Sequence, residues 1–300
     1  MRTIGTKIAA IFAMMTAVAP LAHAQAPGEV EGVIVNIGAL QLDGSFTLTV
    51  MGTTVLVPSS AVISTPTVAN LSRDKFLSTA TFPGRTELGF LGGTAIAIGT
   101  TGADGVITAE TLFAEPGENV ALGIVTQNDA AGLKVNGMPV KFLTEEVDSL
   151  LRMPFDVPTN DLGFEINLAD AIVGTPVGIE GYYSTVESTF YAFLLEATGI
   201  AAKDQRVQIS ALRALGRPAK GELEIRGGLS GIPGPVTIAF FNATTNAALG
   251  QVNVVPDPAL PGTAVFRFRP RNIPQAQFPT SVRANVLNTT ATVTVAVETR

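Results

Sequence analysis

The chain has no cysteine and no tryptophan, and its only histidine is His23, close to the N-terminus. Beyond that position these absences exclude disulfides, thiolate nucleophiles, Ser-His-Asp and Cys-His catalysis, histidine zinc sites and haem attachment through Cys-x-x-Cys-His. Charge is also scarce: 15% of residues are charged, well below the usual quarter of a globular chain. The formal net charge of -6 offers no sequence-wide field to phosphate backbones or anionic lipid. Aromatics make up 6%, too few for the stacking grooves that bind single-stranded nucleic acid, so no nucleic-acid partner is expected. No phosphate-cradling Gly-x-x-x-x-Gly-Lys-Ser/Thr occurs, and Gly92-Gly93 and Gly227-Gly228 are read as bulges or turns. Past the leader no apolar run reaches the ~18 residues that a membrane helix needs, so no span is expected in the mature chain.

What is abundant is strand and turn chemistry: Gly 30, Pro 19 and many Val, Ile and Thr. With 300 residues, 46% of them hydrophobic, two or three separate cores are expected. Met1 to Ala24 has the layout of a secretory signal peptide, with Arg2 and Lys7 before an apolar stretch from Ile8 to Val18, then Ala22-His23-Ala24 as the cleavage site. The alternative is an N-terminal membrane anchor. Export as a soluble periplasmic or extracellular protein is the expectation, with the mature chain starting at Gln25.

The next stretch occurs twice. Gly28-Glu29-Val30-Glu31-Gly32-Val33-Ile34-Val35 opens the first copy, and Phe46 to Val50 and Thr53 to Val57 flank Met51-Gly52 as a tight hairpin. Asp43-Gly44 and Asp104-Gly105 are turn signals. A long connection, with a short helix expected around Leu71 to Leu77, leads to strands at Gly93 to Gly99 and Val106 to Ala114. The second copy repeats the order: Leu122-Gly123-Ile124-Val125, an Asn136-Gly137 hairpin, then a helix capped by Thr144, with Glu145 and Glu146 in its first turn and Val147, Leu150 and Leu151 on one face. Leu162-Gly163-Phe164 echoes Leu88-Gly89-Phe90, and Gly174 to Ile179 echoes Gly93 to Ile98. Three strands, a helix-bearing connection and two strands is the order of an OB barrel. From Val207 to Val297 about seven alternating strands follow at regular spacing, the pattern of a sandwich.

The last third resembles bacterial immunoglobulin-like domains of exported proteins, through Gly221-Glu222-Leu223-Glu224-Ile225-Arg226-Gly227, the Asn242 to Gly250 hairpin and the terminal Asn288 to Val297 strand. That resemblance implies a spacer or binding module without catalytic residues. The two repeats look like small OB-type barrels from exported bacterial proteins of unknown function, through their Gly-x-Val/Ile strand and Gly-centred hairpin. The expected fold is therefore all-β: a signal peptide over 1–24, OB-like five-stranded barrels over 25–117 and 118–203, and an immunoglobulin-like β-sandwich over 204–300.

Three groups of residues are candidates for function. Glu145, Glu146 and Asp148, with Asp156, Asp161, Glu165 and Asp170, form either a calcium or glycosidase-like carboxylate site or a solvated helix start with loop acids. Tyr182, Tyr183 and Tyr191, with Phe190 and Phe193, form a sugar-stacking or partner surface, or else core. Arg267, Arg269 and Arg271, with Arg283, form a solvated sheet face or a docking face for an acidic surface, another copy of the chain included. No catalytic residue, metal ligand or cofactor is assigned. The expected function is non-enzymatic binding or assembly with a cell-surface protein, a glycan or itself; the alternative is a carboxylate-based glycan-active enzyme or its accessory carbohydrate-binding protein. Expression with export intact should yield a chain beginning at Gln25 by intact mass, whereas a full-length product held in the membrane would identify the leader as an anchor.

Overall fold

The computed structural model describes residues 26–143 and 152–299. The chain is all-β, with two closed five-stranded barrels followed by two further sheets forming a sandwich. It divides into two compact units, one running through Asp156 and including Gly178–Leu195, the other comprising Val157–Val177 and Glu196–Arg300. Among the described residues no helix is long and apolar enough to cross a membrane. The leader and the expected helix from Thr144 lie outside the described residues.

In the first barrel, β1 (Ala26–Ile37), β2 (Phe46–Val50) and β3 (Thr53–Val57) form an antiparallel meander. The short β4 (Val62–Ser64) and the helix α1 (Arg73–Phe76) lie in the connection to β5 (Thr94–Thr101), which pairs antiparallel with β1 and with β6 (Ile107–Glu115). The barrel closes where β3 meets β6 in parallel, Val55 opposite Ile107. Alternation places Phe46, Leu48, Val50, Val55 and Val57 in the interior, each fully buried. The helix is short but well started, because Ser72 Oγ accepts the Lys75 N–H. It delivers Phe76, which stacks on Phe46 and on Phe90 at 5.3 and 5.2 Å between ring centres.

The second barrel repeats this circuit with β7 (Asn119–Asp129), β8 (Gly132–Val135), β9 (Met138–Phe142), β11 (Pro176–Ser184) and β12 (Thr189–Ala197), again closed by a parallel pair, β9 with β12. A two-residue strand β10 (Thr159–Asn160) runs parallel to β12, as β4 does to β6.

The duplication extends to side-chain detail. Both hairpin tips have two consecutive residues at positive φ, Met51-Gly52 and Asn136-Gly137, the requirement of a type I′ turn. Each tip folds over a glycine of the first strand: the Met51 side chain covers Gly32, and the Asn136 side chain covers Gly123. Asn136 adds hydrogen bonds, accepting the Ile124 N–H at 3.1 Å and donating to Leu122 O at 3.2 Å. Gly99 and Gly181 are equivalent too, since a Cβ on either would stand 2.0 Å from a carbonyl oxygen of the neighbouring strand, Thr108 O or Tyr191 O. This aligns the buried Ala95 and Ala97 with the buried Val177 and Ile179. The sequence echo from Gly174 is thus one residue out of register, a slip that would turn every side chain to the wrong face.

In the sandwich, one sheet has the order β17 (Ala264–Phe268), β14 (Glu222–Ser230), β13 (Gln208–Arg217), β20 (Glu298–Thr299). The other has the order β16 (Ala248–Val254), β15 (Val236–Asn242), β18 (Ser281–Val286), β19 (Thr292–Ala296). Leu223, Ile225, Phe266 and Phe268 from the first sheet meet Ile238, Phe240, Val282 and Ala284 from the second. Phe240 and Phe268 stack with ring centres 4.1 Å apart. Gly228 lets the Asn160–Phe164 loop reach the outer face of β14, where Ser210 Oγ donates to Leu162 O at 2.5 Å and accepts the Gly228 N–H at 3.1 Å.

Gly99→Ala and Gly181→Ala should each lower stability by roughly 2–3 kcal/mol, because a methyl group overlaps a ladder carbonyl. Gly137→Ala meets no atom within 4 Å and should cost only about 1 kcal/mol through its positive φ. Denaturant melts of the three variants check the ranking.

Candidate interaction surfaces

The aromatic concentration near the end of the second barrel lies mostly in a seam. Phe190 sits opposite the buried Val140, and Tyr191 sits opposite the exposed Lys141. The Tyr191 side of β12 does not reach solvent, however. Tyr182, Tyr191 and Phe193 belong to the same apolar cluster as Phe82 and Phe90 of the first barrel's long connection. Tyr182 and Tyr191 are 3% and 4% exposed and stack at 5.4 Å.

Their hydroxyls are committed as well. Tyr182 Oη donates to Pro83 O at 2.8 Å, and Tyr191 Oη donates to Glu187 Oε2 at 2.6 Å. Lys141 Nζ donates to the same carboxylate at 2.8 Å. Burial pushes the Tyr182 phenol up, and hydrogen bonds from Lys141 and then Tyr191 hold the Glu187 carboxyl below its ordinary value. The buried Arg152 extends the seam, its guanidinium 4.1 Å from the Phe82 ring centre and donating to Ala80 O at 2.6 Å.

Tyr183 alone of the three tyrosines is exposed. It edges a shallow cleft of about 220 Å³ with Arg85, Glu87, Asn119, Thr185 and Val186. Arg85 is spent on structure, donating to Pro116 O at 2.5 Å and to Leu91 O at 2.8 Å.

Among the described residues Glu115, at the end of β6, is the carboxyl whose environment departs furthest from water. It is 6% exposed. Burial, followed by the charges of Glu118, Glu180 and Glu31, raises it from the ordinary 4.5 to about 8. It is therefore protonated at neutral pH, in the middle of three other glutamates. Among the described residues no His, Cys, Asp and Glu side chains are grouped so as to hold a metal ion.

Arg267 and Arg269, expected to share one strand face, both reach Glu224. Arg267 lies across the ladder from Arg226, a pairing of like charges that is repulsive by itself. Glu224, on the same face, resolves it: Oε1 accepts from Arg226 and, at 2.9 Å, from Arg267 Nε, and Oε2 accepts from Arg269 Nε at 2.7 Å. Partial burial would raise the Glu224 carboxyl, but hydrogen bonds and charge from Arg226 and then Arg269 outweigh it and hold it low. Three guanidiniums on one carboxylate leave two positive charges in excess, and the arginine side chains remain 43–52% exposed. Arg271 is exposed just beyond β17. Arg283 is not part of this face. It is on β18 of the other sheet, with its guanidinium 5.2 Å from the Phe241 ring centre and donating to Asn246 Oδ1 at 2.5 Å.

The acids of the second connection are engaged separately. Glu165 pairs with Lys203 at 2.7 Å, Asp170 accepts from Asn167 Nδ2 at 3.4 Å, and Asp161 is pushed up by burial. Glu145, Glu146 and Asp148 lie outside the described residues. Nothing in the sequence pattern marked Glu115 or Glu224, because each depends on what the sheet register brings beside it. No protein-family model, no curated protein and no solved structure matches the chain.

Because Glu115 binds its proton more tightly when folded, its contribution to stability is fully present below about pH 4.5 and is lost as pH rises to about 8. Glu115→Gln should match the parent protein near pH 5 and exceed it at pH 8 by on the order of 2–4 kcal/mol. Thermal melts across that range check it, and parallel pH profiles for both proteins would show that the carboxyl is not buried as described.

Proposed function

We propose that the chain is a non-enzymatic exported protein of periplasm or cell exterior that works by binding or assembly. The observation that carries this reading is the arginine face at β14 and β17, an exposed, charged platform whose guanidiniums converge on Glu224. The sandwich is read as immunoglobulin-like, which supports the same view. Its first, second, fifth and short eighth strands lie in one sheet and its fourth, third, sixth and seventh in the other, an order compatible with that architecture. The tyrosines give less support to glycan stacking, since only Tyr183 faces solvent. No nucleic-acid partner is proposed.

A carboxylate-based glycan-active enzyme is the second reading, favoured by one observation. Glu115 is held protonated at neutral pH beside other glutamates, the split that acid and base carboxylates require. It ranks second because Glu115 does not line the cleft beside Tyr183.

Light scattering on mature Gln25–Arg300 separated by size, with and without a panel of glycans and calcium, tests the two. The binding reading expects a change of mass or a ligand-dependent rise in Tm with no turnover. Hydrolysis of a glycan that is lost in Glu115→Gln without loss of Tm would replace it with the second reading.

A further inference from the structure

The charge of the chain is segregated by module. Residues 26–203 carry 7 Lys and Arg against 20 Asp and Glu, whereas residues 204–300 carry 10 against 5. The formal charges are therefore -13 and +5 in a protein of net -6. A segregation of this size sets up attraction between unlike modules of separate molecules.

Each module also presents a face suited to the other. On the sandwich, Arg226, Arg267 and Arg269 surround Glu224, and Val265 stands beside them on β17 at 71% exposure. On the first barrel, the outward rows across β1, β5 and β6 are read from the ladder register. Glu31 lies beside Ile96 and Phe113, and Val33 beside Thr94 and Glu115, with Glu29 beside Ile98 in the next row. Val33 and Ile98 are 51% and 44% exposed, and Glu29 and Glu31 are exposed. Glu118 and Glu180 add their charge around Glu115. One face is thus basic with an apolar residue at its edge, and the other is acidic with apolar residues between its carboxylates.

Resting on the binding-and-assembly reading, we propose that the arginine face of one chain docks on the acidic, apolar outer face of β1–β5–β6 of a second copy. A free polyanion would answer the arginines but would leave Val265 against water. A second copy supplies both the carboxylates and the apolar contact. The two faces are different surfaces, so the contact is head-to-tail and extends to a ring or an open filament. The exposed charge pairs make the contact sensitive to salt.

The test uses the mature chain and two variants, each with one face reversed: Arg267→Glu/Arg269→Glu, and Glu29→Lys/Glu31→Lys. The milder Arg267→Gln/Arg269→Gln and Glu29→Gln/Glu31→Gln, with melts of all four, separate lost docking from lost folding. By light scattering, the parent protein should gain mass with concentration and lose it in about 0.5 M salt, where charge screening acts within a few ångströms. Each variant alone should stay monomeric. An equimolar mixture of the two reversed variants should regain the mass that each loses alone, because each retains the face that the other lacks and the two reversed faces are again opposite in charge. Assembly of either folded variant as in the parent, or a mixture that fails to pair, overturns the proposal. A parent protein that is monomeric at every concentration and salt also overturns it, but leaves the binding reading to the glycan panel. A mass gain in the parent that the acidic-face variant keeps leaves assembly standing and removes this face as the partner.

Discussion

Strand β12 has to fill two interiors at once, and the arrangement of the barrels follows from that. One side of it, at Phe190, faces Val140 within its own barrel. The other, at Tyr191 and Phe193, is packed among the aromatics of the first barrel's long connection. A strand buried on both faces loses the polar alternation of a surface strand and reads as a continuous apolar run. Its tyrosine hydroxyls then need partners inside the protein, which Glu187 and Lys141 supply to Tyr191 and Pro83 O supplies to Tyr182. The seam thus converts what looks in sequence like a stacking surface into the joint between two barrels.

The same economy explains the repeated glycines. A five-stranded barrel is narrow, and the neighbouring strands β5 and β6, and β11 and β12, approach so closely that a Cβ at Gly99 or Gly181 would overlap a carbonyl across the pair. Gly32 and Gly123 make room instead for a hairpin tip folded over the first strand. These positions are matched between the copies although the side chains doing the covering, Met51 and Asn136, differ in chemistry. The space is shared, while the chemistry filling it is not.

Charge is handled differently in the two kinds of module. In the sandwich, three arginines converge on one carboxylate that neutralises part of their repulsion and fixes their directions. Around Glu115 the charges that act on it, those of Glu118, Glu180 and Glu31, have its own sign, and burial with that repulsion favours the protonated carboxyl. Exposed ion pairs of the first kind add little to stability.

The repeat, the hairpins and the sandwich were all legible in the chain because each has a local signature: alternation at period two, an Asn-Gly or Met-Gly tip, a turn signal every eight to twelve residues. The short helix around Phe76 was legible for the same reason. Register was not: the second copy's fourth barrel strand is shifted by one residue from its apparent echo, and only close backbone approach at Gly181 reveals it. Nor could the chain show that Tyr182 and Tyr191 are buried while Tyr183 is not, or that Arg283 stands on a different sheet from Arg267. Sequence by itself determined which segments become strands and which chemistry is missing, since both depend on residue identity and near neighbours. Tertiary structure decided which side chains meet, because Glu224 with Arg267 and Arg269, and Glu115 with Glu31, are brought together by pairings between strands far apart in the chain.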